Sequence, residues 1–450
     1  MPSEWPYVRI GELVAAGDAS LQTGPFGSQL HKHDYVERGV SIIPTEAIGR
    51  GAIRPDVTLP QVSEAKATEL SRHKLRQGDI LFARRGIQAT GLSAVVGREH
   101  TGALCGTGAI LLRVNHEVMD PSFLGAVLAT DAAYEWLRAH AVGAVMPNLN
   151  SGIIGQLAVP RLGLTEQRVV ASTSQALSQR TDLLRQTNAT LESIAQALFK
   201  SWFIDFDPVH AKQAGREPEG MDAANAALFP AEFEESALGP IPKGWTHKSA
   251  GSLFDVGIGK TPPRKEPQWF KQASGDFAWL SIKDMGDEGT IASRSSEFLS
   301  AEAVTRFHVR IVPSHTVLMS FKLTVGRLTI TDGAMTTNEA IAHFKARPDS
   351  PPFTFLYCHL KAFDFRKLGS TSSIADATNS KAVKAIPVLV PSPKLAAAFH
   401  RQVSVLFDKM FLQKAQWRAL EELRDTLLPR LISGKLRLPE AQEQVEDALA

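Results

Sequence analysis

Gly257-Ile258-Gly259-Lys260-Thr261 ends as a phosphate-binding loop ends, with glycines that let the backbone approach a phosphate and a lysine to meet its charge. The first glycine of that pattern falls on Phe254, however, and Pro262-Pro263 follows where a helix has to start. The run is therefore expected to be a structural turn. Pro55-Asp56 with Glu64-Ala65-Lys66 has the residue types of a magnesium nuclease, whose carboxylates must stand at the ends of adjacent strands. Glu64-Ala65-Lys66 instead lies in an Ala/Glu/Lys-rich stretch that reads as helix. His31 and His33 flank Lys32 without a third ligand, the pattern of solvated polar residues. No GxSxG, HExxH, spaced Cys/His set, glycine-rich S-adenosylmethionine loop or Asn-Pro-Pro-Tyr tetrapeptide occurs in the chain. These residues predict no assembled active site and no metal centre.

What remains is cationic and amide chemistry in loops. Arg72-His73-Lys74-Leu75-Arg76, Arg84-Arg85 with Gln88, Lys260 with Arg264-Lys265, and Lys32, Lys283, Lys322 and Lys381 are the candidates. Arginine and lysine suit phosphate and guanine, and asparagine or glutamine suits adenine. A single such residue more often faces water. Asn148 and Asn379 stand before short strands in two matching places, where each is either a nucleic-acid contact or the side chain of an Asx turn. The formal net charge is only +2, but Arg216–Gly239 and Leu438–Ala450 concentrate acids. Setting those segments aside leaves 48 basic against 37 acidic residues, a body suited to a polyanion.

The elements that must carry these residues occur twice. Val170, Leu177, Leu184, Leu191 and Leu198 repeat every seven residues, and their counterparts 229 residues on are Phe399, Leu406, Gln413, Leu420 and Leu427. Five heptads at this spacing predict a coiled-coil seam. The stretch from Thr165 to Asp207 holds neither glycine nor proline. As a helix it is a rod on the order of 60 Å. Its alternate seam positions are small or polar (Ser174, Thr181, Asn188, Ala195), whereas the later stretch has Val403, Met410, Trp417 and Arg424 there. Each helix is incomplete alone, so the two are expected to pack on each other, antiparallel.

Mixed α/β segments precede both helices. Asp79–Ala83, Ala109–Val114 and Leu157–Pro160 read as strands, and Pro121–Trp136 reads as one helix. The same features return with offsets of 240, 237, 232, 231 and 229 residues, from Trp5 and Trp245 to Asn148 with Pro160 and Asn379 with Pro391. The segment between the copies reads as an irregular acidic linker with an apolar anchor at Leu228-Phe229-Pro230 and Phe233. Two cysteines, Cys105 and Cys358, lie far apart, and no apolar run reaches the ~18 residues of a membrane span. A soluble, cytoplasmic protein without a membrane partner is expected.

Four segments together resemble one family: Thr165-Glu166-Gln167-Arg168; the run from Leu191 to Phe203; Gly215–Met221 with Gly239–Trp245; and Leu423–Leu436. They are similar to the specificity subunits of type I restriction-modification systems over essentially the whole chain, as is Met146-Pro147-Asn148-Leu149-Asn150. The resemblance implies an α/β (α+β) fold of two target-recognition domains, separated by two long antiparallel coiled-coil helices in an internal pseudo-twofold repeat. The expected divisions are 1–164 and 244–394 for these domains, 165–207 and 395–437 for the helices, 208–243 for the linker and 438–450 for an acidic tail. The resemblance further implies a non-catalytic chain that reads a bipartite double-stranded DNA target. Its partners are two methylation subunits, which hold S-adenosylmethionine, and motor/endonuclease subunits, which use ATP and magnesium; this chain holds no cofactor. Lys32, Arg84, Arg85, Gln88, Asn148, Lys260, Arg264, Lys283, Lys322, Asn379 and Lys381 are the expected DNA-facing residues. Leu177, Leu184, Leu191, Leu198, Leu406, Met410, Trp417, Leu420 and Leu427 are expected to pack the helices. The second copy has Asp376-Ala377-Thr378-Asn379-Ser380 where the first has Met146–Asn150, which departs from an equal role for the two loops.

Overall fold

The run Ala109–Val114 is apolar at five of six positions, as a strand covered on both faces must be. In the computed structural model, which describes residues 5–86, 89–143, 146–272, 274–368 and 378–449, it is an inner strand of a five-stranded sheet. The order is Ala19–Thr23, Ala109–Val114, Ile80–Ala83, Ser93–Val95 and Gly51–Ala52. Leu111 pairs with Gln22 on one side and with Leu81 on the other, both antiparallel, and the last pair is parallel. A second sheet orders Tyr35–Val36, Gln61–Val62, Val40–Ile43 and Leu104–Cys105, with its last pair parallel. Ile43, Leu81, Ala94, Cys105 and Leu111 bury one core between these elements.

The later copy repeats this strand for strand. Its five-stranded sheet orders Phe254–Ile258, Ile341–Ala346, Val317–Ser320, Leu328–Thr331 and Ile291–Ala292, again with a parallel last pair. Its four-stranded sheet orders Phe270–Lys271, Glu297–Leu299, Phe277–Leu280 and Met335–Thr337. Tyr7–Arg9 pairs with Ala158–Pro160 as Thr246–Ser249 pairs with Pro387–Val390.

These pairings correct one of the sequence offsets, 231, and with it two residue matches. Ile10 N–H donates to Leu157 O, and Ala250 N–H donates to Ile386 O. Leu149 N–H donates to Arg84 O, and Thr378 N–H to Phe321 O. Both equivalences give an offset of 229 residues from position 149 onward, so Asn379 matches Asn150 and Leu389 matches Pro160. Asn150 and Asn379 accept the N–H of Ile153 and Ala382, each at 2.9 Å, and cap the helices Ser151–Gln156 and Ser380–Lys384. The Asx-cap reading holds for Asn379, and its matching to Asn148 does not.

The long helices are Leu164–Phe203 and Pro393–Ile432, 40 residues each. Proline at the first position of the second needs no N–H there. The chain forms two compact units, Met1–Leu183 with Trp417–Ala450, and Leu184–Gln416, so each helix contributes to both. In the second unit Phe199 lies 5.3 Å from Phe355 and 5.7 Å from Phe399, and Trp202 lies 5.2 Å from Phe229. Burying each such ring stabilises by about 1.5–3 kcal/mol, which fixes helix and sheet as one core.

Two local expectations change, and the tail gains a structure. Pro121–Trp136 is two helices, Pro121–Leu128 and Asp131–His140, because Thr130 accepts Ala133 N–H and caps a new start. The acidic linker is partly ordered: it holds helices Asp207–Gln213 and Ala223–Ala226, and a strand pair Phe233–Glu234 with Ile241–Pro242. The acidic tail forms the helix Leu438–Leu449, with Ala441 and Val445 buried, since its apolar residues recur at helical spacing.

Candidate nucleic-acid interface

In the first unit, the ends of three strands bring loops to one side of the five-stranded sheet. The chain leaves Ile80–Ala83 through Arg84, Arg85 and Gly86, and Arg84 N–H donates to Gly108 O at 2.9 Å. Gly24 follows Ala19–Thr23 and lies so close that an added Cβ would stand 1.9 Å from Gly106 O. Arg84 Nε donates to Asn148 Oδ1 at 3.0 Å, and Arg85 and Asn148 form an isolated bridge. Asn148 also pairs with Val142 through both main-chain groups, at 2.9 and 3.0 Å. One loop thus sets the direction of the Arg84 guanidinium, while Arg85 stays exposed. Arg85 stands on a cleft of about 830 Å³ with Tyr35, Glu46, Arg54 and Met146. Phe26, Val142 and Met146 are more than half exposed. Lys32 is exposed in the turn Lys32–Asp34, whose Asp34 carboxylate accepts His31 N–H at 2.6 Å. Gln88 lies outside the described residues.

The second unit builds the same sheet end with other side chains. Phe321 N–H donates to Ala340 O as Arg84 does to Gly108, which makes Phe321-Lys322-Leu323 the equivalent of Arg84-Arg85-Gly86. Lys260 N–H donates to Thr337 O, and its side chain is exposed. Gly259 is another close approach: an added Cβ would stand 2.2 Å from Asn338 O. The Gly257–Thr261 run is structural but is not the expected turn: Gly257 and Ile258 end the strand Phe254–Ile258, paired with His343 and Ala342, and the chain leaves the sheet from Gly259. Arg264 lies over the rings of Phe270 and Trp279, at 4.1 and 4.6 Å, and both its terminal nitrogens donate to Glu297, at 2.6 and 2.8 Å. It is a held, paired cation. Lys322 Nζ sits 5.6 Å from the Phe321 ring. Lys283 is exposed on the helix Ile282–Glu288, and Lys381 on the short helix that Asn379 caps. The structure brings Lys260, Lys322 and the Thr378–Lys381 segment to one sheet end; Arg264 belongs to the four-stranded layer.

The chemistry tested in the sequence is not assembled. Asp56 accepts from Nε and Nη2 of Arg54, at 3.2 and 2.7 Å, and this holds its carboxyl below the usual range. Lys66 pairs with Glu69 on the helix Glu64–Glu69. Among the described residues, no group of three or more His, Cys, Asp or Glu is placed to hold a metal ion, and no helix is long and apolar enough to cross a membrane. Burial pushes the Cys105 thiol up to about 12, in keeping with an unreactive core residue.

Along the helices, Leu177, Leu184, Met410, Leu420 and Leu427 are buried; Leu191, Leu198, Leu406 and Trp417 are half-buried. Glu192 ties the first helix to the helix Phe353–Ala362 and to the chain entering the strand Ile291–Ala292: its carboxylate accepts Thr290 Oγ1 at 2.6 Å and Tyr357 OH at 2.8 Å, and Lys361 Nζ lies at 2.9 Å. Lys414 Nζ on the second helix donates to Glu288 O. In the first unit buried Gln167 accepts Asp120 N–H and donates to Val118 O and Leu162 O.

Sequence reasoning missed the exposed apolar side chains at these sheet ends, Phe26, Met146 and Leu323. Nothing in periodicity marks a loop hydrophobe as exposed.

The chain therefore has the architecture of a duplicated α+β protein, with cations at the same sheet end of each copy and two long helices that pack antiparallel. The description "Type I restriction modification DNA specificity domain" matches residues 242–427. The type I restriction enzyme HindI specificity subunit of Haemophilus influenzae is 26% identical over 412 residues, covering 81% of this chain and 88% of that one. The MjaIX specificity subunit of Methanocaldococcus jannaschii is 24% identical over 328 residues, covering 71% and 69%. The crystal structure of a type I restriction-modification S subunit from M. genitalium shares the fold, with a TM-score of 0.52 and 16% identity over 95% of this chain and 96% of that one. The chain is thus similar to specificity subunits of type I restriction enzymes over most of its length, and its residues 242–427 match their DNA specificity domain.

Proposed function

We propose that this chain reads DNA for a type I restriction-modification complex, each unit contacting one half of a bipartite duplex target. The observation that carries this reading is one sheet end built twice within one chain and furnished differently. Arg84-Arg85-Gly86 in one copy stands where Phe321-Lys322-Leu323 stands in the other. Equal frames with unequal contact residues suit two different half-sites. Lysines and arginines there meet phosphates, while oriented side chains such as Arg84, held by Asn148, reach base edges. The long helices set the spacer between half-sites. They also dock two methylation subunits that carry S-adenosylmethionine, and the motor/endonuclease subunits join that assembly. The chain itself is non-catalytic, holds no cofactor and acts in the cytoplasm. Half-sites read from one side of a duplex lie about one helical turn apart, roughly 34–36 Å, within the reach of 40-residue helices.

The test is modified-base sequencing of the host genome with and without the gene. A bipartite methylated-adenine motif that disappears on deletion is the expected result. Motifs that persist unchanged sink the proposal, and methyl transfer by the purified chain alone sinks its non-catalytic part.

A further inference from the structure

In the second unit the strand Val317–Ser320 leaves its sheet through Phe321-Lys322-Leu323-Thr324, and the chain returns at Leu328. Thr324 N–H donates to Lys322 O at 2.7 Å, with Leu323 between them at φ 64°. A three-residue turn with its central residue in the left-handed region is rare and strained, and a bulky side chain is an unusual occupant. Buried Ser320 holds this turn in place. Its hydroxyl donates to Thr324 O and accepts Arg327 N–H at 3.0 Å, and its carbonyl accepts Gly326 N–H at 2.9 Å. The equivalent position of the first unit is Gly86, at φ 125°, where glycine removes the strain.

Leu323 obtains nothing from the fold in return. At 71% exposure it is the most exposed large hydrophobic side chain among the described residues. A leucine held out on a strained but well-fastened turn, where glycine serves in the sister unit, is explained by what it meets outside the chain. Its surroundings choose that occupant. Lys322 precedes it, and exposed Lys260 lies at the same end of the sheet. The nearby acid Glu339 is engaged by the Thr261 hydroxyl. Cations around a projecting apolar tip match an anionic rim over a stacked apolar interior, which is the construction of duplex DNA.

Resting on the DNA-reading role proposed above, the geometry points to Leu323 as an apolar wedge. It enters one base-pair step of the half-site contacted by the second unit, with Lys322 and Lys260 on the flanking phosphates. Such a wedge partly unstacks the step, so it selects sequence through deformability, and pyrimidine–purine steps open most readily. The first unit, with Gly86 in that place, lacks this device.

The test uses this chain assembled with its methylation subunits on a duplex carrying its methylated motif. 2-Aminopurine is placed at each half-site position in turn. Wild type is expected to raise the fluorescence at one step away from the methylated adenine, in one half-site only. Leu323→Gly, which relaxes the turn and so spares the fold, is expected to abolish that signal and weaken binding ~10-fold. The signal at the methylated adenine should remain. The wedge is overturned if wild type shows no such step, or if Leu323→Gly leaves signal and affinity intact. It is equally overturned if the variant binds DNA as before but loses a methylation subunit on gel filtration, which makes Leu323 a protein contact. A wild-type complex that does not prefer the motif at all removes the DNA-reading role itself.

Discussion

Asn188 on the first long helix donates from Nδ2 to the main-chain carbonyl of Met410 on the second, at 3.2 Å. The ring of Phe199 lies 5.7 Å from Phe399. Moving eleven residues up one helix moves the contact eleven residues down the other, as antiparallel packing requires. Asn188 occupies a seam position, where one polar residue can specify register at some cost in stability. Its Oδ1 is buried and has no hydrogen-bond partner. Asn188→Leu is therefore expected to raise the melting temperature by roughly 2–4 °C. Asn188→Asp, which turns a carboxylate toward the Met410 carbonyl, should lower it. Thermal unfolding of both variants checks the pair, and a destabilised Asn188→Leu contradicts the assignment.

Glu192 is the acceptor for three donors of its unit, Thr290 beside the strand Ile291–Ala292 and Tyr357 and Lys361 on the helix Phe353–Ala362. Burial alone would raise its carboxyl pKa, but the hydrogen bonds from Thr290, Lys361 and Tyr357, with the Lys361 charge, bring it below the ordinary value. Glu192→Ala leaves the buried Tyr357 hydroxyl without this acceptor, and is expected to cost about 2–4 kcal/mol. The sign of the pH effect follows from the lowered value. The stabilisation is complete above the unfolded glutamate pKa of about 4.3 and drains away as pH falls below it. Urea denaturation should show a wide gap between wild type and variant at neutral pH, and a narrower one in acid.

Two buried histidines of the same unit titrate in a neighbouring window. Burial pushes His343 down to about 4, with Arg310 acting the same way and Asp255 opposing. Burial likewise pushes His359 down to about 4, against its bond to Pro387 O at 2.9 Å. Unfolded histidine titrates near 6.5, so between the two values only the unfolded chain takes up these protons. Stability present above pH ~6.5 is thus lost toward pH 4, by about tenfold in the unfolding constant per pH unit per histidine. His359→Gln should reduce that slope by one proton. An unchanged slope between pH 6 and 4.5 counts against a neutral His359.

The fold was legible where chemistry repeats at a fixed period. The seam from Val170 to Leu198 and its partner from Phe399 to Leu427 are read from heptads, and Ala109–Val114 from an unbroken apolar run. Strand ends were legible where proline or glycine forces them, as at Gly259, where the strand Phe254–Ile258 stops. The linker was misread as irregular, and the helix of the acidic tail went unread, because negative charge hides an apolar spacing, as in Ala441 and Val445. Asn379 was matched to the wrong asparagine because only main-chain pairing fixes register; Thr378 N–H on Phe321 O decides it. Residue types put Arg84, Lys322 and Arg264 in one class of candidate DNA contacts; the structure sets Arg84 and Lys322 at the sheet ends and pairs Arg264 with Glu297, a difference that residue type does not carry. Leu323 was invisible, since its meaning lies in a backbone angle.

The spacer prediction follows from the antiparallel register. Lengthening one helix alone shifts every downstream seam contact, including Asn188 on Met410, by a turn or more. Lengthening both where the two compact units divide, after Leu183 and after Gln416, keeps each unit's own contacts intact. Four residues in each helix add about 6 Å, close to two base pairs at about 3.4 Å each. The doubly extended chain, assembled with its methylation subunits, is therefore expected to methylate the same two half-sites with a spacer about two base pairs longer. Extension of either helix alone should lower the melting temperature and the methylation yield. Modified-base sequencing of cells carrying each version reads all of these outcomes. Altered half-sites with an unaltered spacer would show that the helices do not measure the target.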